Sequence, residues 1–341
     1  MINYLKLNNR VGTVLFSILH FCVDGLCALL VFIKLYPYNV ELSIYTFLAY
    51  NILAFVFQPL VGIIADRWLG YKEMLGISII LIILAYLVSD STIISPILLG
   101  LGNAFFHISG GKYVITRTKN DIFSLGVFVS TGAMGLFLGT NYYSIILLVI
   151  LIIIVIITST FIFLSKEECL IIDKTINHPK KSELLILVLI ILVVLIRSFI
   201  GKVVPIRFEK TPLILFIISL SIVLGKMLGG LSVKIIGVKL TIIFSMIIST
   251  ICLAFGNSNY ILYIIGLFFF NFTMPITLYY MNILLKGREG LSFGILAGAL
   301  YPGYMLGLIA YSQSFISIMV IVLSIFSLVV VLIAEKRIHD D

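Results

Sequence analysis

The sequence predicts an all-α integral membrane protein with twelve transmembrane helices, arranged as two six-helix bundles that are related by a parallel repeat. Three observations lead to this fold class. The 341 residues are 61% hydrophobic and 11% charged, with a mean hydropathy of +1.22, which is far from the composition of a soluble domain. The hydrophobic residues form continuous runs that are long enough to cross a bilayer. One loop sequence also occurs twice, once in each half of the chain.

The apolar runs indicate membrane-spanning helices, because about 20 residues with a rise of about 1.5 Å each cover the hydrocarbon core. A transmembrane β-barrel would show shorter segments of alternating hydrophobicity. The third, fifth and ninth runs are the shortest. The predicted spans are residues 11–33, 42–64, 74–88, 92–113, 122–139, 143–164, 184–204, 213–233, 240–256, 260–285, 291–311 and 315–334.

The positive charges determine the predicted orientation. With the N-terminus in the cytoplasm, most of the 23 Lys and Arg residues fall on the cytoplasmic side, as the positive-inside rule requires. The exceptions are Lys34, Lys202, Arg207 and Lys210 on the outer side and Arg197 and Lys226 inside spans. This asymmetry explains the net charge of +8 without a nucleic-acid partner. We therefore predict a multi-pass protein of the cell (plasma) membrane with both termini in the cytoplasm.

The longest hydrophilic segment divides the chain near its midpoint. We predict an N-terminal six-helix bundle over residues 1–164, a cytoplasmic central loop over 165–183 and a C-terminal six-helix bundle over 184–341. The other loops are short, so no soluble domain is predicted to carry separate chemistry. The four cysteines show no metal-ligand spacing, and neither a metal nor any other cofactor is predicted.

Two pairs of matching segments predict the parallel repeat. Residues 62–72, after the second span, match residues 229–239, after the eighth, in the positions of two glycines and two basic residues. Ser124-Leu-Gly126 in the fifth span matches Ser292-Phe-Gly294 in the eleventh at nearly the same offset. The alternative is coincidence, since glycine is common in membrane helices. We expect the glycine strips of these two spans to lie where the halves move against each other.

Ionisable side chains inside spans are costly, so each of them indicates a function or a specific partner. His20 and Asp24 lie one turn apart on the first span, and His107 lies on the fourth. Arg197 and Lys226 lie on the seventh and eighth spans. The third, sixth, ninth and twelfth spans carry no interior charge and are predicted to face lipid. The neutral polar residues predicted to join the interior site are Gln58, Asn103 and Asn271.

These residues predict a proton and substrate site. Asp24, His20 and His107 are the candidate proton-coupling groups, because protonation changes the local charge by one unit and biases two conformations. Arg197 and Lys226 are candidates for attracting an anionic group of the substrate. For each of these ionisable residues, the alternative explanation is a static ion pair or interhelical hydrogen bonds.

The loop between the second and third spans predicts a gate. Gly62, Asp66, Arg67, Gly70 and Lys72 are its candidate residues, with Gly70 allowing a tight turn and the charges clamping the two bundles. A solvated loop is the alternative. The second copy has a valine where the acidic residue is expected, so we predict a weaker clamp there.

The same loop resembles the signature of the major facilitator superfamily, Gly-x-x-x-Asp-Arg-x-Gly followed by basic residues, with one extra residue before Gly70. Within that superfamily the first half is similar to the fosmidomycin-resistance type of exporters. The segments that carry this second similarity are His20-x-x-x-Asp24, Gln58-Pro59 and Phe106-His107, although the family's proline after that histidine is isoleucine here. The resemblance implies a proton-coupled exporter whose cavity is lined by spans one, four, seven and ten.

We therefore expect a secondary transporter that works by alternating access, with proton-coupled efflux (antiport) of a small molecule or drug, anionic molecules included. A proton-coupled uptake symporter is the alternative. A membrane-embedded enzyme and a transporter-derived receptor are less favoured, and no enzymatic activity is predicted. The expected partners are the substrate, protons and the lipid bilayer, and the chain is expected to be a monomer.

Overall fold

The computed structural model describes residues 6–35, 40–167, 176, 179–256, 258–309 and 311–340. In this part of the chain almost all residues are helical, and the helices form twelve units at the positions of the twelve predicted spans. Much of the predicted central loop lies outside the described residues. The structure is therefore an α-helical bundle with short connections.

The twelve units are numbered in chain order, and three of them are composite. In α1 and α2 a π-helical segment continues or interrupts the α-helix, and α10 is broken at Asn271–Phe272. The units are α1 (Asn9–Ala28 and Leu29–Leu35), α2 (Val40–Asn51, Ile52–Val56 and Gln58–Arg67), α3 (Tyr71–Leu87), α4 (Ile94–Arg117), α5 (Ile122–Asn141), α6 (Ile145–Leu164), α7 (Lys181–Val203), α8 (Pro212–Ile236), α9 (Val238–Phe255), α10 (Tyr260–Phe270 and Thr273–Leu284), α11 (Glu289–Leu306) and α12 (Gln313–Asp340).

Nine of these helices in the described chain are long and apolar enough to cross a membrane. The protein is thus a multi-pass membrane protein, as predicted. The other three units are α3, α4 and α11, which are shorter or carry more polar and small residues. The count of twelve crossings remains a prediction for these three.

One small departure from the all-α prediction occurs near the start of the chain. Lys6–Leu7 forms a two-residue parallel pairing with Lys166–Glu167, directly after α6. The pairing ties the segment before α1 to the end of the sixth helix. It does not change the helical architecture.

The helices pack closely within each half of the chain and, at two places, between the halves. In the first half α1 packs on α5, and α3 packs on α4; in the second half α7 packs on α11, and α9 packs on α10 and α12. The halves meet mainly where α2 contacts α11 and where α5 contacts α8. Both contacts run towards the end of the bundle that carries Arg67, Lys112, Lys234 and Arg288, which we call the basic side.

Glycines allow the backbones to approach at these two contacts. A side chain on Gly62 of α2 would lie 2.8 Å from the Cα of Leu291 in α11, and one on Gly230 of α8 would lie 2.7 Å from the Cα of Phe123 in α5. Such distances exclude a Cβ unless the backbone shifts. A larger residue at either position would therefore separate the two halves on the basic side.

The two contacts are related by one sequence offset. Gly62 corresponds to Gly230 and Leu291 to Phe123 at an offset of 168 residues, one residue more than the loop match in the sequence indicated. A second pair follows the same rule, because Gly294 lies against the carbonyl of Gln58 and Gly126 lies against the carbonyl of Lys226. The α2–α11 contact is thus the repeat-related counterpart of the α8–α5 contact, and this equivalence supports the predicted duplication.

The glycine strips lie only partly where the sequence predicts them. Gly126 and Gly294 face the other half, as expected for moving surfaces. Gly135 instead packs on the backbone of α1 near Phe21, and Gly303 packs on α7 near Leu195. The far portions of both strips therefore hold helices together inside one half, because α1 and α7 cross them more closely than any helix of the partner half.

We predict that Gly230→Leu opens the basic side. Overpacking of a close helix contact costs about 1–3 kcal/mol, which corresponds to a shift of roughly 5–150-fold between two conformations. Spin labels at Trp68 and Ile235, which are 70% and 72% exposed, would report a longer distance by pulsed electron paramagnetic resonance in a background without native cysteines. The matched control is Gly201→Leu, because no atom lies within 4 Å of a Cβ there. Equal distances in both variants would contradict the prediction.

Candidate functional site

A cavity of about 270 Å³ lies between the two halves near the middle of the bundle. Helices α1, α2, α4 and α5 contribute its lining from the first half, and α7, α8, α10 and α11 from the second. These are the eight helices that the charge pattern predicts to be interior. The charged and imidazole side chains that line it are His20, Asp24, His107, Arg197 and Lys226, and most of the other lining residues are apolar.

The first-half wall carries a compact cluster of two histidines and one carboxylate. The Nε2 atoms of His20 and His107 are 2.9 Å apart. Asp24 Oδ2 lies 3.2 Å from His20 Nε2, and Asp24 Oδ1 lies 3.5 Å from His107 Nε2. Asn103 Nδ2 donates to Asp24 Oδ1 at 3.1 Å. The three predicted proton-coupling residues are thus brought into one cluster.

The backbone determines where the protons of the two rings lie. His20 Nδ1 is 2.8 Å from the carbonyl oxygen of Phe128, and His107 Nδ1 is 3.1 Å from the carbonyl oxygen of Asn103. A carbonyl only accepts, so both Nδ1 atoms must donate. If both rings were neutral, two Nε2 lone pairs would face each other at 2.9 Å. A proton shared between the Nε2 atoms would remove this repulsion, and Asp24 would balance its charge.

Close packing holds the cluster in place. The ring of His20 lies 4.8 Å from the ring of Phe128 and 5.8 Å from that of Phe106. Gly132 of α5 faces the cluster, and a side chain there would overlap Asp24 Oδ2 and His20 Nε2. Glycine at position 132 therefore makes the room that this arrangement needs.

The second-half wall carries Arg197, which occupies a break in α10. Met274 N, the helical donor expected for the carbonyl of Phe270, donates to the carbonyl of Asn271 instead. The carbonyl of Phe270 is therefore free of helix bonding and accepts from Arg197 Nη2 at 3.1 Å. Thr273 accepts a further hydrogen bond from Arg197.

Lys226 lines the same cavity and joins the two halves. Its Nζ donates to the carbonyl oxygen of Val129 in α5 at 3.1 Å. The described residues show no ion pair for Lys226 or for Arg197 among the salt bridges. The second half thus presents two cations to a cavity whose opposite wall holds Asp24.

The three neutral residues predicted for the site have different positions. Gln58 lines the central cavity, and Asn103 lines a neighbouring one. Asn271 lies at the break of α10, donates to the carbonyl of Leu267 at 2.8 Å and is absent from the lining. It therefore shapes the helix that positions Arg197 and does not face the described cavity.

Several buried polar atoms around the cavity have no hydrogen-bond partner. They are Gln58 Oε1, Asn103 Oδ1 and Arg197 Nη1. Leaving such groups unsatisfied costs about 1–3 kcal/mol each. A bound polar ligand would satisfy both acceptors and donors, so these atoms indicate a binding site.

A second cavity, of about 330 Å³, continues from the first towards the side opposite to the basic side. It shares Asp24, Phe55, Leu136 and Leu300 with the central cavity. Aromatic residues dominate its lining: Phe32, Phe47, Tyr50, Phe55, Tyr301 and Tyr304. Access to the central site therefore leads through an aromatic vestibule away from the basic side.

The basic side is closed by a helix cap that spans the two halves. Asp66 accepts from the backbone N–H groups of Gly290 and Leu291 at 2.9 and 2.8 Å. These groups are at the N-terminus of α11, where a carboxylate is stabilised by the helix dipole. Lys112 of α4, which the sequence analysis missed, lies 3.5 Å from Asp66 and donates to the carbonyl of Ala65.

Of the other predicted gate residues, Gly62 lies at the α2–α11 contact between the halves, whereas Arg67, Gly70 and Lys72 do not bridge them. Arg67 is exposed and lies over the ring of Trp68. Lys72 donates to the carbonyl of Ser165 at 2.8 Å and so fastens α3 to the end of α6. Gly70 has φ −75° and ψ 167°, which any residue adopts, so it is not needed for a tight turn. A side chain there would instead meet the carboxylate of Glu73.

The repeat-related contact is closed by an ion pair that the sequence analysis missed. Lys234 Nζ lies 2.7 Å from Asp121 Oδ1, and Asp121 also caps α5 by accepting from Ser124 N. Burial raises the pKa of the Asp121 carboxyl, but the hydrogen bonds from Lys234 and Ser124 outweigh this effect, so its pKa lies below the ordinary value of 3.8. At the offset that the helix contacts define, Asp66 corresponds to Lys234 and not to Val233, which the loop match in the sequence placed there. The second copy of the loop therefore keeps a charged clamp, with a lysine in place of the acidic residue.

The class of the fold is a helical membrane bundle of two halves around a polar cavity. The sequence matches no protein-family profile, and no curated protein matches it. A structure of FucP described as a major facilitator superfamily transporter in the outward conformation matches with a TM-score of 0.69 and 12% identity, over 96% of this chain and 99% of that one. A structure described as the E. coli fucose:proton symporter FucP matches with a TM-score of 0.69 and 12% identity, over 97% of this chain and 99% of that one. The human organic anion transporter MFSD10 matches with a TM-score of 0.63 and 13% identity, over 96% of this chain and 99% of that one.

This chain therefore has the fold of the major facilitator superfamily transporters, which confirms the predicted fold class at that level. The similarity to fosmidomycin-resistance exporters remains a prediction. The identity of 12–13% shows the fold alone.

We predict that Asp121→Asn weakens closure of the basic side less than Asp66→Asn does. Asparagine keeps the cap of α5 but loses the exposed ion pair, worth about 0.2–1 kcal/mol. In Asp66→Asn a buried charge-assisted bond is lost, worth about 1.5–3 kcal/mol. The spin-label distance between positions 68 and 235 at pH 7 measures both effects. The reverse order would show that the ion pair dominates the gate.

The sign of the pH effect follows from the lowered pKa of Asp121. The carboxylate stabilises the closed basic side above pH 3.8, and this contribution is lost as the pH falls through the lowered pKa of the closed state. As the pH is lowered, the spin-label distance in wild type should therefore approach the distance in Asp121→Asn. The Asp121→Asn variant itself should show no such transition.

Proposed function

We propose that the protein is a secondary active transporter that works by alternating access. The observation that carries the proposal is one cavity whose walls come from different halves and bear unlike charged groups, Asp24 with two histidines on one wall and Arg197 with Lys226 on the other. The cavity is closed towards the basic side and continues into a vestibule on the opposite side. A rocking motion of the halves would close the vestibule and open the cavity towards the basic side.

The substrate that fits best is a small molecule with an apolar body and one anionic group. Most lining residues are apolar, which favours burial of an apolar body. Arg197 Nη1 is a buried donor without a hydrogen-bond partner. A carboxylate or phosphonate oxygen of the substrate would accept a hydrogen bond from it. The organic anion transporter MFSD10 shares the fold, which agrees with this substrate class.

Proton coupling would use the His20–Asp24–His107 cluster. In this proposal one proton is shared by the two Nε2 atoms and balanced by Asp24, and its release would leave Asp24 uncompensated beside two neutral rings. That change of one charge unit would alter the field that Lys226, Arg197 and a bound anion experience across the cavity. Proton and substrate occupancy would thereby be linked through charge.

The direction of transport is proposed to be export, with the basic side in the cytoplasm of the cell membrane and both termini on that side. The excess of Lys and Arg at this side supports the orientation. The uptake symporter remains the alternative, and the fold shared with the fucose:proton symporter FucP favours it. We propose a monomer with two six-helix bundles joined by a central loop.

The proton assignment predicts that Asp24→Asn uncouples transport from the pH gradient. In proteoliposomes, substrate flux driven by a proton gradient should fall to the level of protein-free vesicles, because the uncharged side chain cannot balance the shared proton. Exchange of substrate at equal pH should continue, since the fold and the cationic wall are unchanged. Flux driven by the gradient in Asp24→Asn at the wild-type level would refute the assignment.

The substrate assignment predicts that Arg197→Gln weakens anion binding by roughly 10–100-fold, the equivalent of one charge-assisted hydrogen bond of about 1.5–3 kcal/mol. Thermal shifts of the purified protein with benzoate and with uncharged benzamide would measure it. Benzoate should stabilise wild type more than benzamide does, and the difference should vanish in Arg197→Gln. Arg207→Gln, an exposed loop substitution, is the control and should behave like wild type.

A further inference from the structure

We propose that His20, Asp24 and His107 form a binding site for one divalent transition-metal ion of the Zn²⁺ type, facing the central cavity. Binding itself does not depend on the transport proposal. The argument rests on the separation of the donor atoms, on what holds each donor and on the space beside them.

The donor atoms have the mutual spacing of a metal site. The closest donor pairs are separated by 2.9, 3.2 and 3.5 Å. Ligands about 2.0–2.2 Å from a tetrahedral Zn²⁺ are roughly 3.3 Å from each other. An ion above the plane of the three donors would therefore reach all of them with small side-chain adjustments. Two imidazoles and one carboxylate form a set that Zn²⁺, Co²⁺ and Fe²⁺ accept.

The partners behind the donors are those of a metal site as well. Each histidine presents Nε2 to the cluster because its Nδ1–H is held by a backbone carbonyl, of Phe128 for His20 and of Asn103 for His107. Metal-bound histidines almost always donate their second N–H in this way. Asn103 in addition holds the carboxylate of Asp24. The rings are thus oriented for coordination before any ion binds.

Gly132 leaves an open position beside the donors. An atom at the place of its missing Cβ would be far closer than 3.0 Å to both Asp24 Oδ2 and His20 Nε2. This is too close for carbon and approaches a coordination distance. The position is thus suited to a metal ion and unsuited to a side chain.

The remaining coordination position opens into the cavity. Arg197 and Lys226 on the facing wall repel a bare cation, so we expect an anion as the fourth ligand, such as hydroxide, chloride or a carboxylate. The ion needs the Nε2 lone pairs that otherwise share a proton. If the transport proposal holds, bound metal excludes that proton, cross-links α1 to α4 and inhibits proton-driven flux.

The test is titration of the purified full-length protein, freed of metal with a chelator, with Co²⁺ and then with Zn²⁺. One Co²⁺ per chain should bind with the visible absorption of a four-coordinate site, and one equivalent of Zn²⁺ should remove that absorption. Affinity should fall at least about tenfold in His107→Ala and in Asn103→Ala. Gly132→Ala should lose binding although all three donors are present, whereas Gly201→Ala should bind as wild type does.

Thermal unfolding without metal identifies variants that fail to fold, and Asn103→Ala gives a second measure should Gly132→Ala be one of them. No saturable binding by wild type, or equal affinity in wild type and His107→Ala, would overturn the inference. Proton-driven flux in a wild-type protein that binds no Co²⁺ would overturn only the metal site. Metal binding together with wild-type flux in Asp24→Asn would overturn only the proton assignment.

Discussion

The close approach of backbones at two glycine contacts determines how the two halves are placed, and the cavity and the gate depend on that placement. Gly62 against Leu291 and Gly230 against Phe123 bring the halves together on the basic side. Because rigid halves that touch at one end diverge at the other, the polar residues near the middle line a cavity instead of packing on each other. The same contacts bring the N-termini of α5 and α11 within reach of charged groups on α8 and α2. Cavity, vestibule and gate are consequences of this one approach.

Desolvation explains why the central residues are arranged as they are. A buried charge is tolerated only with a partner or with several hydrogen bonds. Asp24 has two imidazoles and an amide, whereas Arg197 has a freed carbonyl, a hydroxyl and one unsatisfied nitrogen. Under the two proposals, the first-half wall is complete with one proton, or with one metal ion, while the second-half wall is complete only with an anion. A site with one satisfied and one unsatisfied wall is suited to a ligand that binds and leaves.

Hydropathy and burial cost were enough to predict the helices, the interior-facing set among them and the titratable side chains of the cavity. The hydrogen-bond partners of these side chains were harder to predict, because many of them are backbone groups that the sequence does not reveal. Asp66 caps α11 through two N–H groups, and Arg197 binds the carbonyl of Phe270, whose helical donor Met274 N bonds to Asn271 instead. Lys72 and Arg67 share a motif with Asp66, yet their side chains point to α6 and to Trp68. Nearness in sequence did not indicate which of the three crosses to the other half.

The repeat, followed at a single offset, also explains how the two clamps differ. Asp66 corresponds to Lys234 at this offset. Asp66 lies opposite the helix N-terminus at Gly290, which follows Glu289, and Lys234 lies opposite the helix N-terminus at Ile122, which follows Asp121. In the first copy the loop supplies the carboxylate and the helix supplies bare N–H groups. In the second copy the helix brings its own carboxylate, and the loop supplies the cation. Asp66 is 9% exposed and Asp121 30%, so salt acts mainly on the second clamp. Two contacts of one origin thus separate under different conditions, which allows the basic side to open from the α5–α8 contact first.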